Sequence, residues 1–154
     1  MRYDADVIVT GGGLNGPALA LALARAGLRV AVIDAQPAEA RAEADFDGRA
    51  YALAIASQRL LAAVGVWERL AGQAQPILEI KTTDGRPGEG PSRFFLHFEA
   101  AEIEEGPMGF MVEDRHLYAA FLDAMEQTPG LTHIPATSVT AQEDVPGSRP
   151  SAGT

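Results

Sequence analysis

A glycine-rich turn between two apolar runs constrains this sequence more than any other feature. Asp6–Thr10 is short and β-branched, and Gly11-Gly12-Gly13-Leu14-Asn15-Gly16 follows it directly. Pro17–Ala26 is rich in Ala and Leu, which favour a helix, and Gly27 is placed to end that helix as a C-cap. Leu28–Asp34 is a second β-branched run. This order predicts a right-handed strand–helix–strand unit whose first strand is buried on both faces of a parallel sheet.

The three spaced glycines each have a physical role in such a unit. Gly11 allows a sharp turn, Gly13 lets a pyrophosphate approach the backbone, and Gly16 lets the helix pack closely on the strand. The helix N-terminus presents N–H groups and the positive end of its dipole to the phosphates. We therefore predict a cofactor-binding turn formed by Gly11, Gly13, Leu14, Asn15 and Gly16.

Asp34 completes the predicted nucleotide site. It stands at the end of the second strand, where a carboxylate can accept hydrogen bonds from ribose hydroxyls and would repel the 2′-phosphate of NADP. The alternative is a plain glycine turn followed by a solvated Asp, but the strand, glycines, helix and Asp34 together favour the binding site. FAD and NAD both carry an ADP half, so the pattern does not choose between them.

Composition narrows the class of protein. The 154 residues have the length of one domain and are 47 % hydrophobic, which is enough for a buried core. The lack of cysteine excludes disulfides, thiolate metal ligands and a cysteine nucleophile. A formal net charge of −9 argues against nucleic-acid binding. Met1–Asp6 does not resemble a secretory signal and Pro17–Ala24 is too short to span a bilayer, so we expect a cytoplasmic protein.

The rest of the chain alternates predicted helices and strands. Gln36–Gly48 predicts a loop, and Arg49–Val64 predicts a helix with Ser57 as the N-cap of its second half. Two further helices are predicted, Trp67–Leu70 and Arg115–Gln127. The predicted strands and apolar runs are Pro76–Thr83, Arg93–Phe98, which pairs back after a turn at Asp84–Gly88, Met108–Val112, Leu131–Ile134 and Thr137–Ala141.

Several of these segments resemble a known family. Val7–Gly16 resembles the N-terminus of the single-component FAD-dependent aromatic hydroxylases. Asp47–Leu53, with Ser57, Leu60 and Leu61 after it, and Gly65-Val66-Trp67 narrow the resemblance to the ubiquinone-biosynthesis hydroxylases, which act on polyprenylated phenols. Gln75-Pro76-Ile77, Leu96-His97-Phe98 and Gly109–Glu113 fall in the family's order. The resemblance covers about residues 5–127.

The resemblance implies an α/β fold, a Rossmann-like FAD-binding βαβ region with part of an inserted mixed β segment. Residues 1–144 would form the FAD-binding region with the start of the substrate-domain insertion, and 145–154 a disordered tail rich in Pro, Gly and Ser. The fold would be incomplete relative to the family, whose two further FAD motifs, one Asp-Gly centred and one Gly-Asp centred, are not in this sequence. Because the family's sheet draws strands from that later part, we expect an unpaired sheet edge and self-association.

The resemblance also implies the chemistry, which is hydroxylation of a phenolic or polyprenylphenol ring with FAD, NAD(P)H and O₂. Arg49 would lie along the cofactor near its ribityl and pyrophosphate region, and Arg115 near the flavin. No catalytic acid or base is assigned. The alternatives are an NAD-binding oxidoreductase domain and a non-catalytic nucleotide-binding remnant. Peripheral contact with the inner membrane or with a ubiquinone-biosynthesis complex stays open.

Three further groups of residues invite a function. His97, His116 and His133 lack metal-ligand spacing, so we predict that they are structural or surface residues and that there is no metal site. The acidic run from Glu99 to Glu105 predicts a solvated face, with a hard-cation site as the alternative. Phe94, Phe95 and Phe98 predict a core strand, with the wall of a substrate cavity as the alternative.

Overall fold

The computed structural model describes residues 4–38, 40, 48–88, 90–102 and 106–143. The described residues fall into two compact units, one drawn from residues 1–40 and 121–154 and the other from residues 41–120. The predicted tail at 145–154 and most of the predicted loop at Gln36–Gly48 lie outside the described residues.

The first unit contains the predicted parallel sheet. β1 (Val7–Thr10) leads through α1 (Asn15–Arg25) to β2 (Val30–Ile33), and β8 (Leu131–Ile134) pairs on the other side of β2. The strand order is β1-β2-β8, and all pairs are parallel. The strand–helix–strand prediction is therefore confirmed, and the apolar run at Leu131–Ile134 is the third strand of the same sheet.

The ends of α1 follow from local sequence. The helix begins at Asn15, two residues before the predicted start, so Pro17 lies in its first turn. At the other end Gly27 has a φ of 90°, its N–H donates to the carbonyl of Ala24 (2.9 Å) and the N–H of Leu28 donates to that of Leu23 (3.2 Å). This is a Schellman motif, which confirms Gly27 as the residue that ends the helix.

The prediction that β1 is buried on both faces is wrong for the described chain. Val7 and Val9 are half-buried, while Ile8 between them is 62 % exposed. α1 covers the face that carries Val9, since Gly16 lies against the Val9 side chain. β1 also stands at the end of the strand order, so it is an edge strand among the described residues.

The second unit contains a small antiparallel sheet. β3 (Ala50–Ala54) and β4 (Gln75–Ile77) both pair with β7 (Gly109–Glu113). Two helices, α2 (Ile55–Ala63) and α3 (Trp67–Leu70), connect β3 to β4, and α3 is confirmed as predicted. Among the described residues of this unit, the buried side chains are Leu61, Val64, Val66, Leu70, Val112, Asp114, Leu117, Tyr118 and Ala120.

The predicted helix at Arg49–Val64 is half wrong, because its first part is β3. Tyr51 and Leu53 are half-buried and the alanines around them are exposed, which is the period of a strand. Pairing with β7 thus overrides the helix propensity of alanine. The helix begins only at Ile55, after Ala54 as N-cap residue, so the prediction of Ser57 as an N-cap is also wrong.

The predicted strand at Pro76–Thr83 is confirmed except at Leu78, which separates β4 from the first strand of a long hairpin. β4 ends at Ile77, and after Leu78 the next strand, β5 (Glu79–Arg86), pairs antiparallel with β6 (Gly90–Glu99). The pairing of Arg93–Phe98 back onto its neighbour is confirmed. The predicted turn at Asp84–Gly88 is misplaced, because β5 continues to Arg86 with only a register shift between Thr83 and Gly85.

The last helix, α4 (Asp114–Glu126), confirms the prediction within one residue at each end. Its residues 114–120 belong to the second unit and 121–126 to the first. Leu117, Phe121 and Met125 lie on one face of this helix and are buried, and Tyr118 is buried as well. Among the described helices, none has the length and apolar content needed to cross a bilayer.

The predicted strand at Thr137–Ala141 is wrong. These residues have no regular secondary structure. Ala136 turns the chain with a φ of 52°, and the N–H of Thr137 donates to the carbonyl of Asp34 (2.8 Å). The N–H that Thr137 would contribute to strand pairing therefore donates to Asp34 after the turn at Ala136.

An ion pair joins the residues that precede β1 and β2. The Asp6 carboxylate accepts hydrogen bonds from the Arg29 side chain (Nη2 to Oδ1, 2.7 Å) and from the Arg29 backbone N–H (2.8 Å). The side-chain bond, then the backbone bond, lower the pKa of Asp6 below its ordinary value of 3.8. The stabilisation is therefore present above pH 3.8 and is lost as the pH falls through the lowered pKa.

We predict that Asp6→Asn lowers the urea midpoint of unfolding near neutral pH, and that the gap to wild type closes below pH 3.8. The measurement is urea unfolding across a pH series. Glu126→Gln is the matched control, since it removes one exposed carboxylate at the end of α4. A pH-independent gap for Asp6→Asn would contradict the prediction.

Candidate nucleotide site

The glycine turn lies where β1 ends and α1 begins. Gly11 has a φ of 111°, a conformation that side chains disfavour, and its N–H donates to the carbonyl of Ile33 at the end of β2 (2.8 Å). A Cβ on Gly16 would overlap the carbonyl oxygen of Gly11. The structure thus gives Gly11 and Gly16 the sharp turn and the close helix approach that such a turn requires.

The N-terminus of α1 has the character of an anion site. Leu14 is the N-cap residue and Asn15 the first helical residue. In the described part of the chain no side chain caps this end by a hydrogen bond, and the first turn holds no acidic residue. The helix dipole therefore presents its positive end without a neighbouring carboxylate in that turn, as phosphate binding requires.

Asp34 lies directly beside the turn. It follows β2, is 9 % exposed, and its Oδ1 accepts a hydrogen bond from the N–H of Gln36 (3.2 Å). The alternative of a solvated Asp is therefore wrong. The carboxylate lies against Gly12, where an added Cβ would overlap Oδ2. A nucleotide on the turn would find a carboxylate close to its ribose.

Gly12 is the site residue that sequence reasoning missed. It is buried, and its lack of a side chain makes room for Asp34. The spacing motif treats this position as variable, but the uninterrupted Gly11-Gly12-Gly13 run was the available signal. The absence of a side chain at Gly12 therefore allows the turn and the Asp34 carboxylate to lie side by side.

Arg49 and Arg115 both lie in the second unit. Arg49 precedes β3, its side chain is 55 % exposed, and its Nη2 is 3.7 Å from Oδ2 of Asp114. The Nε of Arg115 donates to Oε2 of Glu113 (2.7 Å), so this guanidinium is engaged within the second unit. The roles of both as cofactor contacts stay predictions.

The hairpin brings together residues that are distant in sequence. Glu79 and Glu99 are opposite each other, and Nε2 of His97 is 3.4 Å from a carboxylate oxygen of each. These three side chains place one potential ligand atom each within 4.8 Å of the others. Lys81, whose Nζ is 2.7 Å from Oε2 of Glu79, lowers the pKa of Glu79 and supplies a positive charge within the hairpin.

The aromatic residues of β6 are exposed, so the prediction of a core strand is wrong for the described chain. Phe94 is 86 % exposed, and Phe95 and Phe98 are exposed as well. Phe94 and Phe95 line an open cavity of about 620 Å³. Its other lining residues are Thr82, Thr83, Asp84, Arg93 and Leu96.

The parallel sheet, the glycine turn and the buried Asp34 define a dinucleotide-binding flavoprotein or nicotinamide-protein fold. Comparison with known families resolves that choice. Residues 4–145 match the FAD binding domain family, and the chain belongs to it. The cofactor of this family is FAD.

The chain is also similar to individual proteins of known name. The chain is 45 % identical to ubiquinone hydroxylase UbiL of Rhodospirillum rubrum over 93 % of its length, and 35 % identical to 3-demethoxyubiquinol 3-hydroxylase of Escherichia coli over 85 %. It spans about a third (32 %) of the length of each relative. The p-nitrophenol 4-monooxygenase PnpA of Pseudomonas putida has a similar fold, with a TM-score of 0.65 at 18 % identity over 84 % of this chain and 31 % of that one.

We predict that Gly12→Ala disrupts the nucleotide site, because the added methyl group pushes the Asp34 carboxylate aside. Overpacking at such a point costs about 1–3 kcal/mol of stability, and we expect FAD affinity to fall by about tenfold or more. Fluorescence titration with FAD and urea unfolding measure the two effects.

Gly72→Ala is the matched control for this substitution. Gly72 lies in the exposed 3-10 turn Ala71–Gln73, and nothing is within 4 Å of an added Cβ. We expect wild-type affinity for this variant. Wild-type affinity in Gly12→Ala would refute the assigned role of Gly12.

Proposed function

We propose that the chain is the N-terminal, FAD-binding part of a flavin-dependent monooxygenase that hydroxylates a ubiquinone-precursor ring. The observation that carries this proposal is the glycine turn with its buried Asp34, found in a chain that is 45 % identical to a ubiquinone hydroxylase. The turn supports nucleotide binding, and the identity supports the reaction and the phenolic or polyprenylphenol substrate.

The residues of this chain would hold the cofactor. Gly11 makes the turn, Gly13 gives the pyrophosphate access to the backbone and Gly16 lets α1 approach closely. The N-terminus of α1 provides donors and a positive dipole. Asp34 accepts hydrogen bonds from ribose hydroxyls. Arg49 binds phosphate oxygens, and Arg115 lies near the flavin.

FAD, when bound, supplies the redox chemistry, which is oxidation of NAD(P)H and use of O₂ to place one oxygen on the ring. The protein's part is to orient cofactor and ring and to exclude water. We assign no acid or base among the residues of this chain.

An exposed apolar face supports an apolar substrate. Ile80 is opposite Phe98 in the hairpin, Leu96 is two residues before Phe98 on the same face, and all three are exposed. Such a face is suited to contact a ring with a prenyl tail. A polyprenylated substrate also brings the whole enzyme into peripheral contact with the membrane that holds the substrate.

The first test is the visible absorption spectrum of the purified chain, before and after incubation with FAD and desalting. We expect flavin bands that stay with the protein, and an affinity about tenfold lower in Asp34→Asn, since a charged acceptor for the ribose is lost. Retained flavin excludes both the NAD-domain and the non-binding remnant alternatives.

If the purified chain retains no flavin, a longer chain shows whether the missing motifs are the reason. The titration is repeated with a chain extended through the two further FAD motifs of the family. Flavin binding by the longer chain, with oxygen-dependent NAD(P)H consumption, keeps the proposal. No binding by either chain overturns it.

We also propose that the chain self-associates through β1. β1 is an edge strand among the described residues and carries the exposed Ile8. Sedimentation velocity should show a mass that increases with concentration, and Ile8→Lys should reduce it, because lysine on an edge strand opposes pairing. Ala22→Lys, on the exposed face of α1, is the control with the same charge change. A monomer at all concentrations refutes this proposal.

A further inference from the structure

We propose that Asp114 is a positioning residue that holds the guanidinium of Arg49 in the orientation in which it meets the cofactor. This inference rests on the proposed function, because it takes Arg49 as a ligand of FAD. All of the groups that carry it lie in the second unit.

Asp114 is a buried carboxylate whose side-chain partners include Tyr51 and Arg49. It is the first residue of α4, and its side chain is 4 % exposed. Oδ1 accepts a hydrogen bond from the Tyr51 hydroxyl (3.0 Å), and Oδ2 is 3.7 Å from Nη2 of Arg49. Burying a carboxylate is costly unless it is paired, so these contacts have to persist in the folded state.

The backbone sets this geometry. Ala50 is opposite Glu113 and Tyr51 is opposite Val112 in the pairing of β3 with β7. The N–H of Asp114 donates to the carbonyl of Arg49 (3.0 Å), which extends the antiparallel ladder by one residue. Arg49 and Asp114 are therefore brought together by sheet register, although they are far apart in sequence.

Arg49 and Asp114 differ in exposure, and this difference suggests that their contact has a role beyond folding. Asp114 is buried and is held by the half-buried Tyr51 through its hydroxyl, whereas the Arg49 side chain is 55 % exposed. An arginine loses rotamer freedom when it binds phosphate. An anchor that restricts the arginine beforehand reduces that loss, which is how preorganisation increases affinity.

The test is a double-mutant cycle on FAD affinity with Asp114→Asn, Arg49→Ala and the double variant. We expect each single variant to bind FAD about tenfold more weakly than wild type. The double variant should bind no more weakly than Arg49→Ala, because Asp114 acts through Arg49. Asp123→Asn, the same change further along α4, should leave affinity unchanged.

Two outcomes of the cycle would overturn the proposal. If Asp114→Asn weakens binding equally with and without Arg49, Asp114 acts on the fold and not on the arginine. If Asp114→Asn strengthens binding, the carboxylate only offsets the positive charge of Arg49. Urea unfolding of the same variants measures the separate cost to stability.

A second readout does not depend on FAD. In ¹⁵N NMR spectra, rotation of the Arg49 Nη2 group should be slower in wild type than in Asp114→Asn, because the contact to the Asp114 carboxylate is made through Nη2. A mobile Arg49 signal in wild type overturns the proposal even if the variant does not fold. An ordered signal in a chain that binds no FAD would count against the proposed function and leave the Asp114–Arg49 contact standing.

Discussion

Parallel pairing of β1 with β2 is the constraint on which the first unit depends. Two parallel strands require a crossover, and here the crossover is α1, whose N-terminus must then lie at the carboxyl end of β1. Only glycine at position 11 accepts the turn between them without strain, and only glycine at 16 lets the helix start so close to it. The candidate anion site is thus a consequence of the topology. Asp34 follows the neighbouring strand and therefore meets the turn from the side, where Gly12 makes room for its carboxylate.

Much of this unit could be predicted because its signals are local. The spacing of Gly11, Gly13 and Gly16 between β-branched runs, and Gly27 at the helix end, each fix a backbone geometry within a few residues. The wrong predictions fall where contacts between segments distant in sequence determine the secondary structure. Ala50–Ala54 has helix-forming alanines but pairs with β7, some 60 residues later, and only its two-residue alternation of burial indicates a strand. Thr137 looks strand-like, yet the turn at Ala136 directs its N–H to Asp34.

The residues of the candidate site also divide into those that could be predicted from sequence and those that could not. The glycines and Asp34 could be found from sequence, because a phosphate-binding turn needs particular residues at a particular spacing. The contact between Asp114 and Arg49 could not, because it depends on the register of β3 and β7 and on the burial of a carboxylate at the start of α4. The cluster of Glu79, His97 and Glu99 is a similar case, since antiparallel pairing places a residue near one that is twenty positions away.

The division into units bears on what this chain can do by itself. The glycine turn, the N-terminus of α1 and Asp34 all belong to the first unit and are held by backbone bonds within it, including the bond from Gly11 to Ile33. Apart from Arg49, the groups that we propose to contact the ADP half of FAD therefore all lie in that unit. Among the described residues, exposed large apolar side chains concentrate instead on the hairpin, at Ile80, Phe94, Phe95, Leu96 and Phe98, whereas β1 carries one, Ile8. Apolar surface of this extent indicates contact with other protein or with substrate. The chain spans about a third of the length of its relatives, and the nucleotide binding proposed for it is assigned to the turn and not to these exposed surfaces.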